Sequence, residues 1–144
     1  PRSRGLGDVY KRQADSAVRW GLRDSRAFTT SGKSISEAVT ERPEMRELVD
    51  AQKLGRRAPS SPIMISTAGN DDVVPTSQVV QLARDHCSLG ADVSFYDSAL
   101  PPLTPGVKSG VNHAVGVYSH LAPSMMWMMD RFNGVPNRSN CGSF

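Results

Sequence analysis

A short apolar run, Ile63-Met64-Ile65-Ser66, leads through Thr67-Ala68 into the acidic turn Gly69-Asn70-Asp71-Asp72 and then Val73-Val74-Pro75; a histidine, His113, follows much further along. A carboxylate and an imidazole placed after successive strands can supply two parts of a three-part relay. A hydroxyl is too weakly acidic to attack an ester unaided, so a neutral imidazole must take its proton, and a buried carboxylate must fix the tautomer of that imidazole. The third part, a serine on a Gly-x-Ser-x-Gly turn, has no match among the 144 residues. The register Asp-x-Val-Val-Pro, counted back from Pro75, favours Asp71 as the inward carboxylate, with Asp72 as its substitute. Taken singly, each residue has a plainer reading: Gly-Asn-Asp-Asp is a good turn, and His113 after Asn112 fits an exposed loop. Their joint placement favours the chemical reading. His120, just before the expected last helix, is the backup base, while His86 sits beside Cys87 on an amphipathic stretch.

Residues 36–54 read as an amphipathic helical stretch that Pro43 splits or restarts, and Gly55 to Pro62 reads as a helix stop and loop. Ile63 to Ser66 is a buried strand. Thr76 or Ser77 caps a helix whose apolar positions Val79, Val80, Leu82, Ala83 and Cys87 recur at threes and fours up to Gly90. Ala91 to Tyr96 alternates as a second strand. Strand, helix, strand makes a right-handed βαβ unit of a parallel sheet, whose ligands bind beyond the carboxyl ends of the strands, where Asp71 and His113 both fall. The Pro-rich segment Pro101-Pro102-Leu103-Thr104-Pro105-Gly106 makes residues 98–112 a long surface loop. Pro123 is placed to open a final helix, in which Met125 to Met129 and Phe132 pack into the core, with Gly134 and Pro136 as its stop.

The formal charge of +3 invites a polyanion partner, but Arg2, Arg4, Lys11 and Arg12 against Asp8 carry all of that excess. Residues 1–13 resemble the translated read-through of a sequencing adapter and are set aside, which leaves no basic stripe for nucleic acid. No stretch reaches the roughly eighteen apolar residues of a membrane span, and the first residues lack the basic, apolar and small-residue order of an export signal. Cys87 and Cys141 suit either one disulfide in an oxidising compartment or two buried thiols, and they lie too far apart for a metal pair; neither metal nor cofactor is expected.

Two rivals come from other classes. Ala27-Phe28-Thr29-Thr30-Ser31-Gly32-Lys33-Ser34 satisfies a loose phosphate-loop pattern with Ala for its first Gly, although no buried strand leads into it. The Met125 to Met129 cluster is alternatively a face for a protein partner, without catalysis.

Lys53-Leu54-Gly55, Pro62-Ile63-Met64-Ile65, Asp71-Asp72-Val73-Val74-Pro75, His86-Cys87-Ser88-Leu89-Gly90-Ala91-Asp92-Val93, His113 and Trp127-Met128-Met129-Asp130-Arg131-Phe132-Asn133-Gly134-Val135-Pro136, with Cys141 near the end, together resemble the C-terminal third of the secretory lipases. That family includes the fungal lipase A type and actinobacterial relatives. The resemblance implies the C-terminal part of an α/β-hydrolase, parallel strands with flanking helices, with the nucleophile half missing upstream. Residues 14–55 then fall at the end of the cap region, and residues 56–144 in the catalytic domain. It further implies that Asp71 is the triad acid and His113 the triad base, and that Cys87 and Cys141 form a disulfide. The implied activity is secreted hydrolysis of triacylglycerol or other carboxylic esters without a cofactor, at a lipid interface rather than across a membrane. It also implies a shorter link to the histidine than the Pro-rich segment provides. Serine peptidases of the prolyl-oligopeptidase type share the acid-Val-Pro turn and late histidine, so a peptide substrate is the alternative.

Overall fold

The computed structural model describes residues 23–144, together with residues 12, 15, 16 and 19. The adapter-like tail, residues 1–13, therefore lies outside the described residues apart from Arg12. The chain divides after Gln52 into two compact units.

In the first unit, Asp24 caps a 3₁₀ turn over Ser25–Phe28, and two short helices follow, α1 (Ile35–Thr40) and α2 (Pro43–Ala51). The Ser34 hydroxyl accepts the Glu37 N–H while the Glu37 carboxylate accepts that of Ser34, a reciprocal cap that starts α1. Pro43 stands in the first turn of α2, where its missing N–H costs nothing. Across the phosphate-loop-like segment, the Lys33 ammonium pairs with Glu41 and Ser34 is spent on the cap.

The second unit is β1 (Ile63–Ala68), α3 (Thr76–Ser88), β2 (Val93–Ser98) and α4 (Val111–Phe132). The two strands are parallel and paired in register from Ile63 opposite Val93 to Ala68 opposite Ser98. Alternation sends Ile63, Ile65, Val93 and Phe95 to one face, where Ala83 and Cys87 of α3 pack on them together with Ala91 and Phe144. Ser66, Ala68, Tyr96 and Ser98 lie on the other face, under α4. Gly116 makes that second packing close: a Cβ there would stand 2.6 Å from the Cβ of Ala68.

The C-terminal segment covers the outer edge of β2. Asn140 donates its backbone N–H to the Val93 carbonyl, and its side-chain amide both accepts from the Phe95 N–H and donates to the Phe95 carbonyl, as a neighbouring strand would. The disulfide between Cys87 and Cys141 ties this segment to α3. Asn137 adds a second anchor, accepting from Ser94, Trp127 and Arg131 and donating to Asp92.

Several sequence expectations are displaced. β1 runs two residues past Ser66, and β2 is shifted two residues forward of Ala91 to Tyr96. Thr76 does not cap α3; its hydroxyl reaches back to the Ala68 carbonyl at 2.8 Å. The last helix begins at Val111, not Pro123, which sits inside it. Packing of Gly116 on Ala68 and a cap supplied from a distant turn hold a first half that local propensity would not. The expected core position of the Met cluster fails too: Met125, Met126, Met128 and Met129 are exposed, because two strands about 4.8 Å apart can cover only one stripe of a helix. Trp127 alone of that run turns to the Arg131 guanidinium and Asn137.

Gly116→Ala weighs two effects of opposite sign. Helix propensity favours Ala by about 1 kcal/mol, whereas forcing a methyl into a closed contact costs about 1–3 kcal/mol. A lowered urea midpoint is expected, and a raised one would contradict the close packing described. Replacing both cysteines with Ala should cost about 4 kcal/mol by loop-closure entropy across the separation of 54 residues. A loss under about 1 kcal/mol in urea unfolding would mean that Asn137 and Asn140 hold the tail without the disulfide.

Candidate active site

The turn after β1 is built to present a carboxylate. Asp71 donates its N–H to the Ala68 carbonyl at 3.0 Å, and its Oδ1 accepts the N–H groups of Val73 and Val74, each at 2.8 Å. Those two bonds leave Oδ2 aimed away from its own turn. There it meets His113 Nδ1 at 2.8 Å. The acid is the more enclosed partner, with its side chain 10% exposed against 37% for the imidazole.

Burial alone would push the Asp71 carboxyl up, but the hydrogen bond from His113, the Val74 and Val73 N–H groups and the positive imidazolium together outweigh it, leaving Asp71 below the usual carboxylate range. Asp71 is therefore ionised near neutrality. An ionised carboxylate only accepts hydrogen bonds, so Nδ1 of a neutral His113 carries the hydrogen and Nε2 holds the lone pair. Nε2 makes no hydrogen bond among the described residues. This is the tautomer that a general base needs.

His113 lies in the first turn of α4, not in the loop expected from its sequence neighbours. The long segment ahead of it is tied down at three places: the Asn70 side-chain amide donates to the Leu100 backbone carbonyl at 2.7 Å, the side-chain Oδ1 of the buried Asn112 accepts from the Leu103 and Thr104 N–H groups, and Asp72 accepts from those of Ser109 and Gly110. The Pro-rich segment thus folds back on the helix start and leaves the pairing of His113 with Asp71 intact. His120 is also within α4; its Nε2 lies 3.2 Å from the Ser98 hydroxyl and its ring stands edge-on to Tyr96. It meets no carboxylate among the described residues.

His113 opens on a cleft of about 330 Å³ lined by Ser66, Thr67 and Ala68 of β1, Val79 of α3, and Gly116, His120, Leu121 and Ser124 of α4. The two helices pack on opposite faces of the sheet. A cleft that touches both helices and β1, and no residue of β2, runs along the unpaired edge of β1. Ile63 turns its N–H to Asp92 ahead of β2, so alternation turns the backbone groups of Met64 and Ser66 to that open edge. No three His, Cys, Asp or Glu side chains converge as a metal site among the described residues.

An acid on the turn after one parallel strand is thus paired with a histidine after the next. Residues 11–140 match the secretory lipase family. The chain belongs to that family. A probable inactive lipase of Mycobacterium tuberculosis is 25% identical over 92% of this chain and 30% of its own length. Lipase A of Arthroderma benhamiae is 24% identical over 69% of this chain and 19% of its own, and a secreted triacylglycerol lipase of Malassezia globosa is 34% identical over 56% and 15%. The chain therefore spans about a third or less of the length of these relatives. No solved structure matches it. The family match starts well before Lys53, the first of the residues that carry the sequence resemblance, and so takes in α1 and α2.

Two residues of this candidate site have parts that their sequence setting does not announce. Gly116 carries only the weak signal of a glycine between two valines in a helix. Asp72 is a substitute acid by residue type alone; its carboxylate faces the start of α4.

A carboxylate held below its usual range stabilises the fold above that range, and the contribution disappears as pH falls through its depressed value. Urea midpoints should therefore fall as pH drops below about 4. Asp71→Asn should start lower near neutral pH and show a shallower acid limb; an acid limb as steep as that of the parent chain would argue against the ionised pair.

Proposed function

We propose that Asp71 and His113 are the acid and base of a secreted serine ester hydrolase that acts on triacylglycerol or other carboxylic esters. The observation that carries this reading is the 2.8 Å pairing of Asp71 Oδ2 with His113 Nδ1, which leaves Nε2 free beside the open edge of β1. In this reading the nucleophile belongs to a strand that precedes these residues and pairs with that edge, in the chain order nucleophile, acid, histidine. Its hydroxyl would give its proton to Nε2 while Asp71 stabilises the imidazolium that forms. The disulfide and the secreted relative support export. No described helix is long and apolar enough to cross a membrane, and the reading calls only for contact with a lipid interface. Residues 14–55 are assigned to the end of a cap region, and residues 56–144 to the catalytic domain.

A second reading has one observation in its favour: a relative that matches over 92% of this chain is a probable inactive lipase. In that case the acid and base remain paired while ester hydrolysis has been lost elsewhere.

The reading frame extended upstream should encode a strand followed by Gly-x-Ser-x-Gly. The product of that frame should hydrolyse p-nitrophenyl esters, and His113→Ala or Asp71→Asn should each lower kcat by about three orders of magnitude or more. Full activity in either variant would remove that residue from the relay. No activity in the parent protein, with the fold intact, would favour the second reading.

A further inference from the structure

Two consecutive carboxylates hold the two ends of one histidine. Asp71 takes the ring at Nδ1, and Asp72 takes the main chain: its Oδ1 accepts the His113 N–H at 3.1 Å, and its Oδ2 accepts those of Gly110 at 2.8 Å and Ser109 at 3.0 Å. The start of α4 needs such an acceptor. The first N–H groups of a helix have no partner within it, and the residue at the helix boundary ordinarily supplies a side-chain oxygen to the N–H two or three positions on. Here that residue is Gly110, at φ 77°, which has no side chain to give. The acceptor instead comes from 41 residues earlier in the chain.

From this juxtaposition we infer that Asp72 is a positioning residue for His113, capping α4 from the acid's own turn so that ring and backbone of the histidine are both referred to β1. A local cap would fix the helix start but not its distance from Asp71. A cap carried by the adjoining residue fixes both, because any slip of α4 along the sheet must break the Asp72 bonds and the Asp71 bond together. The negative charge also faces the positive end of the helix dipole, which would otherwise disfavour an imidazolium in the first turn. The catalytic meaning of this role rests on His113 being the base proposed above; the structural role does not.

The test uses this chain and variants D72N and D72E, read by NMR. In the parent chain, scalar couplings across the hydrogen bonds should link the amide nitrogens of Ser109, Gly110 and His113 to the Asp72 carboxyl carbon, and the His113 Nδ1–H should give a resolved downfield resonance. D72N should speed hydrogen exchange of those three amides by about tenfold or more, leave the β1 and β2 amides unchanged, and broaden or abolish the Nδ1–H resonance. D72E, which keeps the charge, should restore that resonance in part. An unchanged Nδ1–H resonance and unchanged exchange in D72N would overturn the inference. Should D72N not fold, the parent couplings decide: their absence overturns it, their presence supports it. In the product of the extended reading frame, D72N should lower kcat about tenfold with KM unchanged. The NMR readings need no esterase activity, so failure of the proposed function and failure of the role of Asp72 give different results.

Discussion

The in-register parallel pairing of β1 with β2 is the constraint from which the rest follows. Because Ala68 stands opposite Ser98, both strands finish at one level, and the turn after the first lies beside the segment after the second. Parallel strands cannot be joined by a tight turn, so α3 must cross over one face, and the second helix is left the other. Each strand residue thereby acquires a fixed assignment, odd numbers to α3 and even numbers to α4. Ser98 and Ala68 receive His120 and Gly116 for that reason, and the height of Gly116 on Ala68 sets the height of His113 three residues earlier.

Most of this framework was legible in the sequence because its signals are local. The apolar run after Pro62, the threes and fours from Val79 to Cys87, Gly90 in the left-handed region at φ 79°, and the alternation near Val93 each report on neighbours a few residues away. What misled were signals whose cause lies far along the chain. Pro123 carries a strong mark of a helix start, yet the helix begins twelve residues earlier because Asp72 and the Ala68 contact support a first turn that has no cap of its own. The Met residues suit a core by type, but two strands are too narrow a floor to cover them.

The candidate site divides in the same way. Asp71 and His113 could be nominated from residue type and order, since a relay needs an acid and a base, and those are few in the second unit. The division of labour between Asp71 and Asp72 could not be read, because tandem acids in a turn differ only in which way the chain directs them. The 2.8 Å bonds from Val73 and Val74 to Asp71 Oδ1 are what orient one carboxylate to the ring and leave its neighbour to the helix. The family match over residues 11–140 spans both residues of the pair.

Asn140 closes one side of this small sheet by offering Phe95 a side-chain amide in place of a strand, with the disulfide to hold it there. The sheet is thus directional: extension at β2 is blocked, while Met64 and Ser66 leave their backbone groups presented at β1. Any strand that joins this sheet must arrive from the side on which His113 waits. Growth of the sheet and access to the imidazole share a single edge.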